Sequence, residues 1–282
     1  YNNACKNLGN QENHPIISRP FLLSQLANAL IKYNITTEDF IGGMSNPHDP
    51  KKGVNSIIEA LVKREVTDKW KSKDTGEPYL NEEQHIHLLA VVAEEMWRSQ
   101  VEKLSLDYIQ TLTVLLLEEW SISDKSRQLQ IFEMVKMHAL LIVPNDEDNT
   151  SRAFEHPEFK DYFTAQSLEN LVIDALQNDK EKKLGAFLSV AQISDSLALY
   201  TFANTKLGNG DVQNILNIFS DLVKKEWRPT YLQNNIGTLI PYLVNKYDLE
   251  EQLEFEAKVV YSSLIFENKI LNNLNISNGT FL

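Results

Sequence analysis

The sequence predicts a mainly α protein: a helical domain, a winged-helix-like subdomain with a short β-hairpin, a second helical domain and the start of a β-helical repeat. Three observations predict it. Apolar residues recur at helical spacing through most of the chain between Pro20 and Tyr247. That period is interrupted by Leu140-Leu-Ile-Val143, the polar turn run Pro144-Asn-Asp-Glu-Asp-Asn149 and Ser151-Arg-Ala-Phe154, which read as two short strands and their connection. Near the end, Phe266, Leu271, Ile276 and Phe281 are spaced by five, a period of neither helix nor ordinary strand.

The elements follow in order. Pro20 opens a helix over 20–33 whose stripe is Phe21, Leu22, Leu26, Ala29 and Leu30. Asn34 to Gly53 is rich in turns, marked by Gly42-Gly43, Asn46-Pro47 and Asp49-Pro50. A helix is expected over Val54–Trp70, then a loop over 71–78. Asn81 with Gln84 forms a capping box for the next helix, whose buried face is Ile86, Leu89, Ala90, Ala93 and Met96. Helices over 106–118 and 125–138 precede the hairpin, and Pro157 suits the first turn of the helix after it, where a missing N–H costs nothing. Phe159, Tyr162 and Phe163 place the aromatic side of that helix inward. From Leu168 to Tyr247 the period stays helical, broken by Gly208-Asn-Gly210 and Arg228-Pro229. The five-residue period suits a quadrilateral β-helix with one apolar residue per face; a helix end with an Asn-rich tail is the other reading.

Composition narrows the function classes. The 282 residues carry 43% hydrophobic and 23% charged side chains, ordinary for a globular protein. A net charge of −12 opposes bulk attraction to nucleic acid or an anionic membrane surface. Cys5 is the single cysteine, so neither a disulfide framework nor a thiolate metal cluster is expected. The apolar runs fall short of the about 20 residues of a membrane span, and no signal peptide is visible. The sequons at Asn34, Asn149 and Asn278 are accordingly read as chance, and the expected location is cytoplasmic. A chain that starts at Tyr1 and stops at Leu282 without a polar tail reads as a piece of something larger.

Few residues offer chemistry. No Walker A or dinucleotide glycine motif occurs, and Gly42-Gly43 leads into Met-Ser-Asn-Pro rather than a lysine. Neither serine nor cysteine sits in a nucleophile elbow. His85 and His87 stand two residues apart on a helix and point roughly 200° apart, so one faces the core and the other solvent. Asp146-Glu-Asp148 lacks the further ligands of a calcium loop and reads as a solvated wing tip. Trp120 and Trp227 read as packing residues. The segment Lys125–Met137, where a winged helix would read DNA, has three bases and one acid, a poor basic footprint. His156, at the mouth of the helix from Pro157, either caps that helix or donates a hydrogen bond to a phosphate oxygen.

The run Phe154-x-His156-x-x-Phe159-x-Asp161-Tyr162-Phe163-x-Ala165 resembles the F-x-H-x-x-F-x-E-Y-x-x-A signature of the winged-helix part of NACHT-type STAND NTPases, with Asp161 where glutamate is commoner. Arg19-Pro20-Phe21-Leu22-Leu23-Ser-Gln-Leu26-Ala27 resembles the proline-led start of that family's first helical domain, and the tail resembles pentapeptide repeats. The resemblance implies residues 1–19 as the end of an NTPase core or a linker, 20–103 as helical domain 1, 104–168 as winged helix, 169–258 as helical domain 2 and 259–282 as a repeat start. It further implies that His156 contacts the β-phosphate of ADP and that Pro20 packs near the adenine. The catalytic motifs would lie upstream of Tyr1, so the fragment has no catalytic motif of its own, while its parent is expected to be an ATPase using ADP/ATP with Mg. The implied partners are the NTPase core of the same chain and, on activation, other copies, with a trigger of unknown nature; direct nucleic-acid and membrane contact are not expected. In the isolated fragment no cofactor is expected. A helical scaffold that binds a protein partner without nucleotide is the competing expectation.

Overall fold

The computed structural model describes residues 51–144, 149–178, 180–202, 205, 207–224, 230–246, 253–256 and 274–277. Pro20 and the helix expected over 20–33, the wing tip Asp146–Asp148, Trp227, Phe266, Leu271 and Phe281 lie outside the described residues. The described chain is mainly helical with a small three-stranded antiparallel sheet. It divides into two compact units, Tyr1–Met96 with Val101–Phe163, and Trp97–Gln100 with Thr164–Leu282.

In the first unit, α1 (Lys51–Arg64) runs directly into one π-turn (Glu65–Lys69). The Trp70 N–H donates to Glu65 O at 2.8 Å, five residues back, which is the π spacing. The loop that follows is closed by a Lys71–Pro78 bridge, and Gly76 supplies the left-handed residue it needs at φ 72. Asn81 and Gln84 then cap α2 (Glu82–Ser99) reciprocally: Gln84 N–H donates to Asn81 Oδ1 at 2.8 Å, and Asn81 N–H to Gln84 Oε1 at 3.0 Å. The buried face of α2 includes Leu89, Ala90, Ala93 and Met96 as expected. His85 and Leu88 join it, while Ile86 is only half-buried.

Next come β1 (Leu104–Ser105), α3 (Leu106–Glu119), α4 (Lys125–Val135), β2 (Leu141–Ile142) and β3 (Ser151–Phe154). Ser105 Oγ accepts the Tyr108 N–H to cap α3, and Asp124 Oδ1 accepts the Ser126 N–H to cap α4. The sheet order is β1-β3-β2, all antiparallel, with Leu104 opposite Arg152 and Leu141 opposite Phe154. With α2 ahead of β1, this is the helix–strand–helix–helix–hairpin order of a winged helix. β1 is a finding beyond the sequence reading: two residues cannot display alternation, and the strand exists through its partner β3.

Ile109, Leu116, Ile131, Val135, Leu140, Phe159 and Phe163 form the centre of this unit. Each such burial contributes about 1.5–3 kcal/mol. Arg152, 5% exposed, sends Nε to Lys136 O at 2.8 Å and Nη1 to Ser151 O at 2.8 Å. A charged donor thus satisfies a carbonyl at the C-terminus of α4, where the helix dipole favours it.

α5 (Pro157–Asn178) changes unit between Phe163 and Thr164. The second unit continues with α6 (Glu181–Leu188), α7 (Asp195–Thr201), α8 (Asn209–Lys224) and α9 (Thr230–Lys246). Gly185 of α6 lets that helix meet α8 closely, since a Cβ there would stand 2.9 Å from Leu222 Cδ2. Asn235 of α9 is fully buried and staples the α6–α7 connection: its Oδ1 accepts the Ile193 N–H, and its Nδ2 donates to Leu188 O and Ala191 O at 2.8 and 2.7 Å. The end of α2 belongs here as well, through Trp97 Nε1 donating to Phe187 O at 3.2 Å. Finally β4 (Leu253–Glu256) pairs in parallel with β5 (Leu274–Ser277), Leu253 opposite Leu274 and Phe255 opposite Ile276, a displacement of 21 residues.

Candidate functional site

His156 is separated from β3 by Glu155 alone and precedes the first residue of α5. Glu155 N–H donates to Leu140 O at 2.9 Å, which carries the β2–β3 ladder to the residue before the histidine. His156 O then accepts from the Phe159 N–H at 3.0 Å, so the residue stands at the N-cap position of α5. Its side chain completes the cap: Nδ1 accepts the Glu158 N–H at 3.1 Å. An Nδ1 that accepts fixes the neutral ring as the Nε2–H tautomer, leaving Nε2 the donor nitrogen. The ring packs edge-on against Phe159, centroids 6.0 Å apart, and the residue is 6% exposed.

The aromatic positions of the signature are core. Phe154 stacks on Phe163 at 5.7 Å, and Tyr162 meets Phe163 edge-on at 5.1 Å. Phe159, Tyr162, Phe163 and Ala165 are buried, which holds the start of α5 rigidly on the hairpin. Lys160 pairs with Glu102 at 2.8 Å at the half-buried edge of the same turn. Pro20 lies outside the described residues, so its relation to His156 is not part of this geometry.

Of His85 and His87, one faces the core as expected: His85 is fully buried, whereas His87, expected to face solvent, is half-buried with its ring 5.7 Å from Trp120. The sequence reading had no account of what surrounds His85. Trp70 meets it edge-on at 4.3 Å, His138 lies 5.8 Å from it and 5.6 Å from Trp70, and Trp70 Nε1 donates to Glu65 Oε2 at 3.2 Å. Four polar residues from three separate segments thus share one core. The separations of 15 residues from Trp70 to His85 and 53 from His85 to His138 carry no local pattern that would reveal it.

Along α3 and α4 runs an open groove of about 260 Å³ whose lining includes Val114, Leu117, Leu129 and Phe132 with Lys125. Leu129 of α4, which lines the groove, is 60% exposed, so an apolar side chain stands open on the helix that a DNA-reading winged helix keeps basic. Among the described residues, no group of three or more His, Cys, Asp or Glu is placed to hold a metal ion. No described helix is long and apolar enough to cross a membrane. No protein-family model, no curated protein and no solved structure matches the chain.

Proposed function

We propose that this chain is the regulatory, non-catalytic arm of a NACHT-type STAND NTPase, in which His156 helps clasp ADP and so gates nucleotide-dependent oligomerisation in a cytoplasmic defence or stress response. The observation that carries the reading is the placement of His156 at the N-cap of α5, with Nδ1 engaged by the Glu158 N–H and Nε2 as the donor nitrogen. A helix N-terminus favours an anion through its dipole and its outward N–H groups, and the imidazole adds a donor of fixed direction. The packed hairpin and aromatic layer support the same reading, because a switch contact has to be held rigidly to differ between two states.

In this scheme ADP bridges an upstream NTPase core and His156, with Mg and the phosphate-binding lysine supplied by that core. The arm performs no bond cleavage. Exchange for ATP removes a contact made in one state only, and one charge-assisted hydrogen bond is worth about 1.5–3 kcal/mol. The shift toward the open, assembling form is bounded by that difference. The β4–β5 pair supports a β-helical sensor end, since a coil of four five-residue faces would displace successive strands by about 20 residues.

Substitution in the complete protein tests this. His156→Asn keeps an N-cap acceptor and removes the imidazole; it is expected to lower co-purifying ADP and to raise spontaneous assembly at unchanged stability. Unchanged ADP occupancy with a persistent monomer would overturn the proposal. The exposed Val114 and Leu129 favour a second reading, a helical scaffold whose α3–α4 face binds a protein partner without nucleotide. A complete gene lacking Walker A and Walker B motifs upstream of Tyr1 would select that second reading.

A further inference from the structure

The geometry points to an acid-sensitive latch in the first unit: Trp70, His85 and His138 hold the π-turn, α2 and the segment after α4 together only while both imidazoles are uncharged. His85 is 0% and His138 2% exposed, and Trp70, 1% exposed, lies against both rings. His138 Nδ1 accepts the Leu140 N–H at 3.2 Å, which ties the ring to the approach of β2. His85 Nδ1 and Nε2 and His138 Nε2 are sealed from solvent with no hydrogen-bond partner among the described residues. A neutral imidazole tolerates that setting at moderate cost, but an imidazolium does not.

The charges around the cluster make protonation worse. From the end of α1 and the π-turn come Arg64, Glu65 and Lys69; from α2 comes His85; from the segment after α4 come Lys136 and His138. Glu65 is the carboxylate of this core, and it is committed: Oε2 accepts from Trp70, and Oε1 faces Lys69 Nζ at 3.0 Å and Arg64 Nη2 at 3.5 Å. Lys136 pairs with Glu133. Glu82 at the start of α2 acts on Glu59, whose pKa it raises beside the larger effect of burial. A proton on His138 therefore enters a dry site beside two cations and a second imidazole, and one on His85 enters a dry site.

Burial lowers the His85 pKa to about 4. It also lowers that of His138, to which His85, Lys69 and Arg64 add. The sign follows. Folded pKa values below the unfolded value of about 6.5 mean that the full contribution to stability is present above that pH and is lost as pH falls toward the folded values. For His85 alone, going from pH 7.5 to 5.0 lowers the folding constant by roughly 30-fold. Acidification thus weakens the joint between the π-turn, α2 and the segment after α4 without any ligand.

The test is urea unfolding of the full chain at pH 7.5 and 5.0, read by tryptophan fluorescence, for wild type, His85→Phe and His138→Asn. Phenylalanine fills the His85 space without a titrating nitrogen, and asparagine keeps an acceptor for the Leu140 N–H. His85→Phe is expected to recover roughly 30-fold of the acid loss and His138→Asn a further part. Ring-carbon resonances of wild-type histidines provide a second readout should a variant fail to fold: His85 and His138 are expected to stay neutral at pH 5.5 in the folded chain. Identical acid loss in all three chains, or both imidazoles titrating near pH 6.5 while the fold persists, would overturn the latch.

Discussion

His156 and Asn235 show two ways in which one polar side chain organises a backbone. His156 caps α5 through Nδ1, so His156→Ala should destabilise the isolated chain by about 1 kcal/mol, whereas His156→Asn should cost far less; thermal unfolding of the two variants checks this. Asn235 makes three hydrogen bonds to the backbone between α6 and α7 from a fully buried position. Removing it leaves buried groups without partners, and Asn235→Ala is expected to cost about 3 kcal/mol by urea titration. The two differ in legibility. His156 was singled out in the sequence because it sits beside Pro157 and after a strand-like run, all local signals. Asn235 is one amide in Gln233-Asn-Asn235, and only the fold distinguishes it from its neighbours. The same holds for His138, whose partners Trp70 and His85 are far away in sequence.

At the scale of elements, the parts with local chemistry were readable and the parts made by pairing were not. The Asn81–Gln84 capping box appears as a reciprocal pair of hydrogen bonds, and the hairpin strands at 141–142 and 151–154 fall within the expected runs. β1 was not readable, because two residues become a strand only when β3 lies beside them. The helix expected over 106–118 ends within one residue of α3, but the way α2 and α3 stop carries no sequence signal. Gln100 and Ser121 take φ values of 53 and 57, and the bonds from Val101 N–H to Met96 O and from Ile122 N–H to Leu117 O complete a Schellman end at each. Glycine is the usual residue there. Ser121→Gly is therefore expected to stabilise the first unit by about 0.5–1 kcal/mol, measured by the urea midpoint; a loss of stability would mean that the Ser121 side chain contributes something the backbone does not reveal.

Over the whole molecule, two units of different character share one chain. The first is a winged-helix-like unit around the α3–α4 and hairpin core; the second is a helical stack ordered by Gly185, Asn235 and Trp97. The helical period made the α class readable throughout, and the boundary after Leu168 that the family resemblance implied falls inside α5, five residues from the division between Phe163 and Thr164. The parallel β4–β5 pair gives a prediction at this scale: if the five-residue period marks stacked coils, Ile276→Asp should disturb the second unit and leave the first unchanged in hydrogen exchange. The central claim is that His156 reads a nucleotide, and the ADP affinity of the complete protein tests it most directly. His156→Asn is expected to bind ADP roughly 10- to 150-fold more weakly than wild type, the equivalent of one charge-assisted hydrogen bond. Equal ADP affinity in the two proteins would contradict it.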